Sequence, residues 1–185
     1  MAYKVLAMVG SLRKGSINRV LFNAAVELAP PSLAITEFPR LGELPLYNAD
    51  LDGETKPEPV ATFLEAVRVA DAYLFVSPEY NYSVPGVLKN AIDWASRGGP
   101  KSPMRGKPAA IMGGSIGFIG TTRMQYHLRQ ILLFTDNAVL PQPEVAVPKL
   151  PDRITAGRLS DETTRDLVSK QLVAFETWIA KFAKA

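Results

Sequence analysis

Apolar runs too short to form helices alternate along this chain with longer stretches in which apolar residues recur every three or four positions. The runs are residues 3–9, 33–38, 72–77 and 109–112, and a last strand or strand pair is expected within 138–147. Between the first two, Val20, Leu21, Ala24, Ala25 and Leu28 stripe one face of a helix predicted from Asn18 to about Ala29, which Pro30-Pro31 ends. Val60, Phe63, Leu64 and Val67 mark a second helix after a long loop over 39–59, and a third is predicted from Pro85-Gly86 to Ala95. A Gly/Pro/basic connector over 96–108 precedes the fourth strand. Residues 113–121 form its loop, 122–134 the next helix, and Val168, Leu172, Phe175, Ile179 and Phe182 stripe a C-terminal helix.

Strands alternating with helices predict a doubly wound α/β sandwich of three layers. The expected sheet has five parallel strands in the flavodoxin-like order 2-1-3-4-5, with a switch point between strands 1 and 3. Ligands bind at such a point, outside the carboxyl ends of the strands. Two loops converge there: Gly10-Ser11-Leu12-Arg13-Lys14-Gly15-Ser16-Ile17-Asn18 and Pro78-Glu79-Tyr80-Asn81-Tyr82-Ser83.

Composition narrows the chemistry. With 185 residues, 47% hydrophobic and 21% charged, the chain is expected to form one globular domain spanning 1–185. It has no cysteine, which excludes a disulfide framework, a thiolate nucleophile and iron-sulfur or zinc-thiolate sites. A single histidine, His127, makes an all-protein catalytic metal site a poor fit, and no metal is expected. The net charge of +3 comes from dispersed Lys and Arg, short of a nucleic-acid footprint. The first nine residues carry no basic n-region, and no apolar run approaches the roughly 18 residues that span a bilayer, so no membrane insertion and a cytoplasmic location are expected.

The first loop has the glycine spacing of a P-loop in Gly10 and Gly15, but Ser16 stands where the lysine belongs, and G-x-G-x-x-G occurs nowhere. What remains is a strand-to-helix turn with Ser11, Ser16 and Asn18 as polar donors, free amides at the helix start, and Arg13 as counter-charge. That set suits one compact phosphate; the alternative is an ordinary turn in which Ser16 or Asn18 caps the helix. In the second loop, Tyr80 and Tyr82 offer flat faces with polar tips, Pro78 stiffens the strand exit, and Glu79 and Asn81 add donors and acceptors, a set suited to a planar heterocycle.

These residues resemble the NADPH-dependent FMN reductase family, which includes bacterial quinone, chromate and azo-dye reductases. Gly10-Ser11-Leu12-Arg13 with Ser16 and Asn18 is similar to its phosphate-binding G-S-x-R-x-x-S-x-N, Pro78-Glu79-Tyr80-Asn81 to its P-E-Y-N signature, and Gly86–Trp94 to its G-x-L-K-N-A-I-D-W helix. The resemblance implies non-covalent FMN with Ser11, Arg13, Ser16 and Asn18 around the phosphate, Pro78, Glu79, Tyr80 and Asn81 along the ring, and Gly113, Gly114 and Ser115 as a third wall. It implies hydride transfer from NADPH, or NADH, to FMN and then two-electron delivery to a quinone, azo compound, metal oxyanion or flavin by a ping-pong mechanism. No catalytic side chain is required, because the flavin carries the chemistry.

A homodimer or homotetramer is also expected, since the helix bearing Val87, Leu88, Ala91, Ile92 and Trp94 is apolar on more than one face. Trp94 is a possible interface residue; the resemblance also implies oligomers, with a second contact where Arg123 and Tyr126 could meet Glu144 of a neighbour, although those three could equally form a local surface network within one chain. Arg97, Lys101 and Arg105 in the basic connector are possible contacts for the coenzyme's 2′-phosphate, or simply a solvated linker. His127 reads as a surface residue, and Asp50 and Asp52 as parts of a turn. The rival reading is a flavodoxin-type electron carrier or flavin-binding regulatory module with no nicotinamide site. The positive net charge argues against it.

Overall fold

In the computed structural model, which describes residues 2–182, β1 (Tyr3–Val9) lies in the interior of a parallel sheet. It is flanked by β2 (Leu33–Glu37) and β3 (Ala72–Val76), and β3 by β4 (Pro108–Gly114). The outer position beside β4 is shared by β5 (Ala138–Val139) on Pro108–Ala109 and β6 (Val145–Val147) on Met112–Gly114. The order is therefore β2-β1-β3-β4-β5, as expected, with the last strand split in two. Pro141 and Pro143 lie in the gap, where a residue without an N–H cannot continue the ladder.

The helices α1 (Ile17–Leu28), α2 (Glu58–Val69), α3 (Gly86–Ala95), α4 (Thr122–Phe134) and α5 (Glu162–Ala180) cover both faces. The two-residue period of the strands divides the core. Val5, Ala7 and Val9 face one cluster with Leu74, Val76, α1 and α5, while Leu6 and Met8 face another with Tyr73, Phe75, α2, α3 and α4. Strands buried on both faces read as continuous apolar runs, which is why their positions stand out in the sequence. A two-stranded antiparallel hairpin of β7 (Ile154–Thr155) and β8 (Arg158–Leu159) precedes α5; it has no counterpart in the expected elements.

The apolar surface of α3 is satisfied within the chain. Leu88, Ala91, Ile92 and Trp94 are all buried, and the loop over 39–57 wraps the helix. Asn90 accepts from the Tyr47 amide and donates to the Leu44 and Pro45 carbonyls, and Trp94 Nε1 donates to Pro45 O at 2.8 Å. Trp94 is therefore a core residue rather than an interface residue, and α3 supplies no argument for an oligomer. The basic connector lies apart from the two loops of this chain. It enters the amino end of β4, at the sheet edge opposite the two loops, where Arg97 lies over Tyr47 and Arg105 pairs with Asp136.

Candidate functional site

The register Val9↔Val76 and Val76↔Met112 brings the carboxyl ends of β1, β3 and β4 to one edge. The strands crowd there. A Cβ on Gly10 would sit 2.4 Å from Ser77 Oγ, and one on Gly113 would sit 2.2 Å from Ser77 O. Gly113 lies inside β4 and is buried, so close packing of strands explains this glycine, not access for a ring. Gly114, next along, lines the cleft.

The loop after β1 leaves the chain as a set of unspent donors. Among the described residues, the amides of residues 11–15, 17 and 18 donate to no protein acceptor, while Ser16 N–H donates to Arg13 O. Ser16 occupies the N-cap position of α1 but makes no cap bond, so its buried hydroxyl is free for a ligand. Arg13 is exposed and makes no hydrogen bond or ion pair among the described residues.

Asn18 has a task besides the expected one. Its side chain donates to Gly114 O and accepts from Gly114 N–H, both at 2.9 Å, fastening the start of α1 to the end of β4. Asn18 also lines the cleft, and the second N–H of its side-chain amide is not committed to that clamp.

After β3, Tyr80 and Ser83 exchange two backbone hydrogen bonds around Asn81 and Tyr82, whose φ angles are 50° and 66°. Two positive φ values at the centre of a two-residue turn define a type I′ hairpin, a geometry that asparagine tolerates and tyrosine rarely adopts. The turn holds both tyrosines outward and leaves the Asn81 and Tyr82 amides unpaired. Tyr80 OH reaches Ser11 Oγ at 3.5 Å, so the two loops touch.

Glu79 is spent elsewhere than along a ring. Its carboxylate accepts from Arg123 Nε at 2.7 Å and from the Met124 amide at 3.1 Å, serving as the cap that Thr121 does not provide for α4. Only its backbone remains for a ligand. Within the chain Arg123 pairs with Glu79, and Glu144 approaches Arg129 at 3.7 Å. Tyr126 remains exposed. His127 is exposed and bonded to Ser83 Oγ at 2.8 Å. Asn48 accepts from the Asp50 amide and Asp52 pairs with Lys56, as in a turn.

The result is a cleft of about 300 Å³ lined by Ser11, Arg13, Ser16, Pro78, Tyr80 and Ser115. Glu79 and Ser115 are shared with a second pocket of about 430 Å³, walled by Tyr82, Phe118, Ile119 and Arg123. Sequence reasoning missed this second wall; the exposed run Ile116, Phe118 and Ile119 beside Gly117 and Gly120 was its available signal.

Residues 3–152 match the sequence profile described as NADPH-dependent FMN reductase. The chain belongs to the NADPH-dependent FMN reductase family. It is 49% identical to the NAD(P)H-dependent FMN reductase of Pseudomonas aeruginosa, with 96% of each chain covered. It is 42% identical to the quinone reductase of Escherichia coli K12, again over 96% of each. Its backbone superposes on the flavoenzyme NAD(P)H:(acceptor) oxidoreductase of Paracoccus denitrificans with a TM-score of 0.89, at 38% identity and covering 97% and 98% of the two chains. As a member of this family, the chain is an FMN-dependent NAD(P)H oxidoreductase.

The donor set fits the cofactor. Clustered free amides at a helix start, an unspent hydroxyl and an unpaired arginine suit a single phosphate dianion, and the tyrosine turn borders the adjoining space. No helix among the described residues is long and apolar enough to cross a membrane.

Proposed function

We propose that this reductase passes electrons from NADPH or NADH to a flat acceptor, foremost a quinone, by a ping-pong mechanism in which donor and acceptor use one open face in turn. The observation that supports this reading is that Glu79 and Ser115 line both the cofactor cleft and the aromatic pocket, which sets the two side by side. Bound FMN would supply the redox chemistry, accepting a hydride and releasing two electrons.

The chain's own residues bind and orient. Ser11, Arg13, Ser16 and the amides of the first loop hold the phosphate, while Asn18 fixes the loop by clamping Gly114. Pro78, Tyr80, Asn81 and the Glu79 backbone flank the ring on one side, and Gly114 and Ser115 on the other. The unpaired amides of Asn81 and Tyr82 are the donors available where negative charge gathers at the ring edge, a preorganised form of electrostatic stabilisation. No side chain is needed as nucleophile or acid. Azo compounds, metal oxyanions and free flavin are further acceptors such a pocket admits.

The test is anaerobic mixing of the FMN-loaded protein with NADPH or NADH, followed by 1,4-benzoquinone. Bleaching within seconds, return of colour on adding quinone, and parallel double-reciprocal plots are expected. Failure of both nicotinamides to bleach the flavin hands the chain to the electron-carrier reading.

A further inference from the structure

The split outer strand has a register that its own backbone does not fix. Between the pairing of Val139 with Ala109 and that of Val145 with Met112, the outer chain advances six residues while β4 advances three. The excess forms a bulge over 140–144, to which Pro141 and Pro143 bring no N–H. A strand as short as β6, entered from such a bulge, slips along its neighbour unless something pins it. Ala109 O accepts from the Leu140 amide on the outer side, and Met112 O accepts from the Ser77 amide on the β3 side, so Ile111 O points outward at the bulge. That buried carbonyl needs a donor the outer strand does not supply.

Gln171 of α5 supplies it. Only 2% exposed, the residue donates from Nε2 to Ile111 O at 3.1 Å and to Pro143 O at 2.8 Å, joining the two lips of the bulge. Its Oε1 is buried without a partner among the described residues, so the amide is held for its two donors. A methionine would fill the same space without that unpaired acceptor. On the opposite face of the sheet, Gln125 and Arg129 of α4 donate to Val145 O at 2.9 Å and to Leu140 O at 3.0 Å. What β6 carries is the cleft wall. Val147 O accepts from the Ser115 amide at 3.1 Å, and the Lys149 and Leu150 amides donate to Gly117 O and Ser115 O, both at 2.9 Å. Leu150 packs against Gly114, where a Cβ would meet its Cδ2 at 2.4 Å. Gly114, Ser115 and Ile116 line the cleft itself.

We propose that Gln171 is a positioning residue of this site, a role that rests on the reading of the cleft as the flavin site. By tying Ile111 O to Pro143 O it sets the register of β6 on β4. The strand β6 and the residues after it then set where Gly114, Ser115 and Ile116 stand against the ligand. Gln171 touches neither the ligand nor the reacting atoms and acts through the backbone between them.

Gln171→Met keeps the length of the side chain and removes both donors. Trp178→Phe is the comparison, because Trp178 Nε1 fastens the same helix to β5 through Ala138 O at 2.7 Å without touching the bulge. Hydrogen exchange of the apoprotein, followed by NMR, reads the Ser115, Lys149 and Leu150 amides one by one. In Gln171→Met their protection should fall at least about tenfold, the factor one hydrogen bond of ordinary strength supplies, while the β1 amides keep theirs. Trp178→Phe should leave the three amides within about twofold of native protein. Gln171→Met should also bind FMN about tenfold more weakly, with an altered visible circular dichroism of the bound flavin that Trp178→Phe does not share. Unchanged protection of the three amides, or an equal loss in both variants, overturns the proposal. So does native FMN affinity and dichroism in a variant whose three amides have lost protection. If Gln171→Met does not fold, Gln171→Asn, whose stem is one methylene too short to span both contacts, is judged by the same amides. Native protein that binds no FMN counts against the flavin reading alone, since exchange in the apoprotein decides whether Gln171 holds the wall.

Discussion

Asn18 shows how a residue can belong to a binding motif while serving the fold. Its side-chain amide completes both hydrogen bonds of Gly114, a glycine whose absent Cβ is itself required by Leu150 Cδ2 at 2.4 Å. Asn18→Ala leaves a buried N–H and a buried carbonyl unpaired, and should cost about 2–4 kcal/mol in urea unfolding. The phosphate donors themselves stay in place. A stability change under about 0.5 kcal/mol would show that water replaces the clamp. The sequence marks Asn18 as polar at a helix start, which suits a cap, a phosphate ligand or a clamp equally. Only the neighbouring strand end, 96 residues away, decides among them. Glu79 is similar: its partners Arg123 and Met124 lie 44 and 45 residues on, beyond any local pattern. The placement of Ser11, Ser16 and Arg13 at the turn into α1 was legible because it depends on the local turn and helix start alone.

At the scale of elements, strands and amphipathic helices were read nearly to the residue because burial imposes periods of 2 and 3.6 on them. The strand β4 runs on to Gly114, two residues past the expected end, since glycines carry no hydropathy signal. The hairpin at Asn81-Tyr82 escaped notice because tyrosine does not announce a positive φ. The loop over 39–57 holds structure of its own, with short 3₁₀ turns at Leu41–Glu43 and Ala49–Leu51. Arg40 ties this loop to α2 through Glu43 and Glu58. Hydrogen bonds from Arg40 first, then Thr62, lower the Glu58 carboxyl from 4.5 to about 2. A folded-state pKa below the unfolded one contributes stability that is full above the unfolded value and fades as pH falls toward the folded value. The stability gap between native protein and Arg40→Ala should therefore narrow as pH drops from about 4.5 toward 2. Urea melts across that range check this, and a gap independent of pH would remove the pair from the loop's fastening.

For the whole molecule, the sheet order matters most, because pairing β1 with β3 brings residues 11–18 and 78–83 together although two strands and two helices separate them in the chain. The expected assembly would draw on what the fold leaves uncovered. With α3 buried, the exposed apolar residues Tyr126, Leu133 and Phe134 of α4 and Ile116 and Phe118 before it are the surface available to a second copy. Light scattering at micromolar concentration should give a dimer or tetramer, and a fully active, flavin-loaded species of 20.2 kDa would contradict it. The central claim is that the first loop is a phosphate site and the second a ring site, joined in one FMN cleft. Titrating apoprotein with FMN and with riboflavin, in native and Arg13→Ala forms, tests it most directly, since the two ligands differ only in the phosphate. Native protein should bind FMN far more tightly, and Arg13→Ala should weaken FMN by roughly 1.5–3 kcal/mol while leaving riboflavin nearly unchanged. Equal affinity for the two ligands in native protein, or equal weakening of both in the variant, would contradict the account.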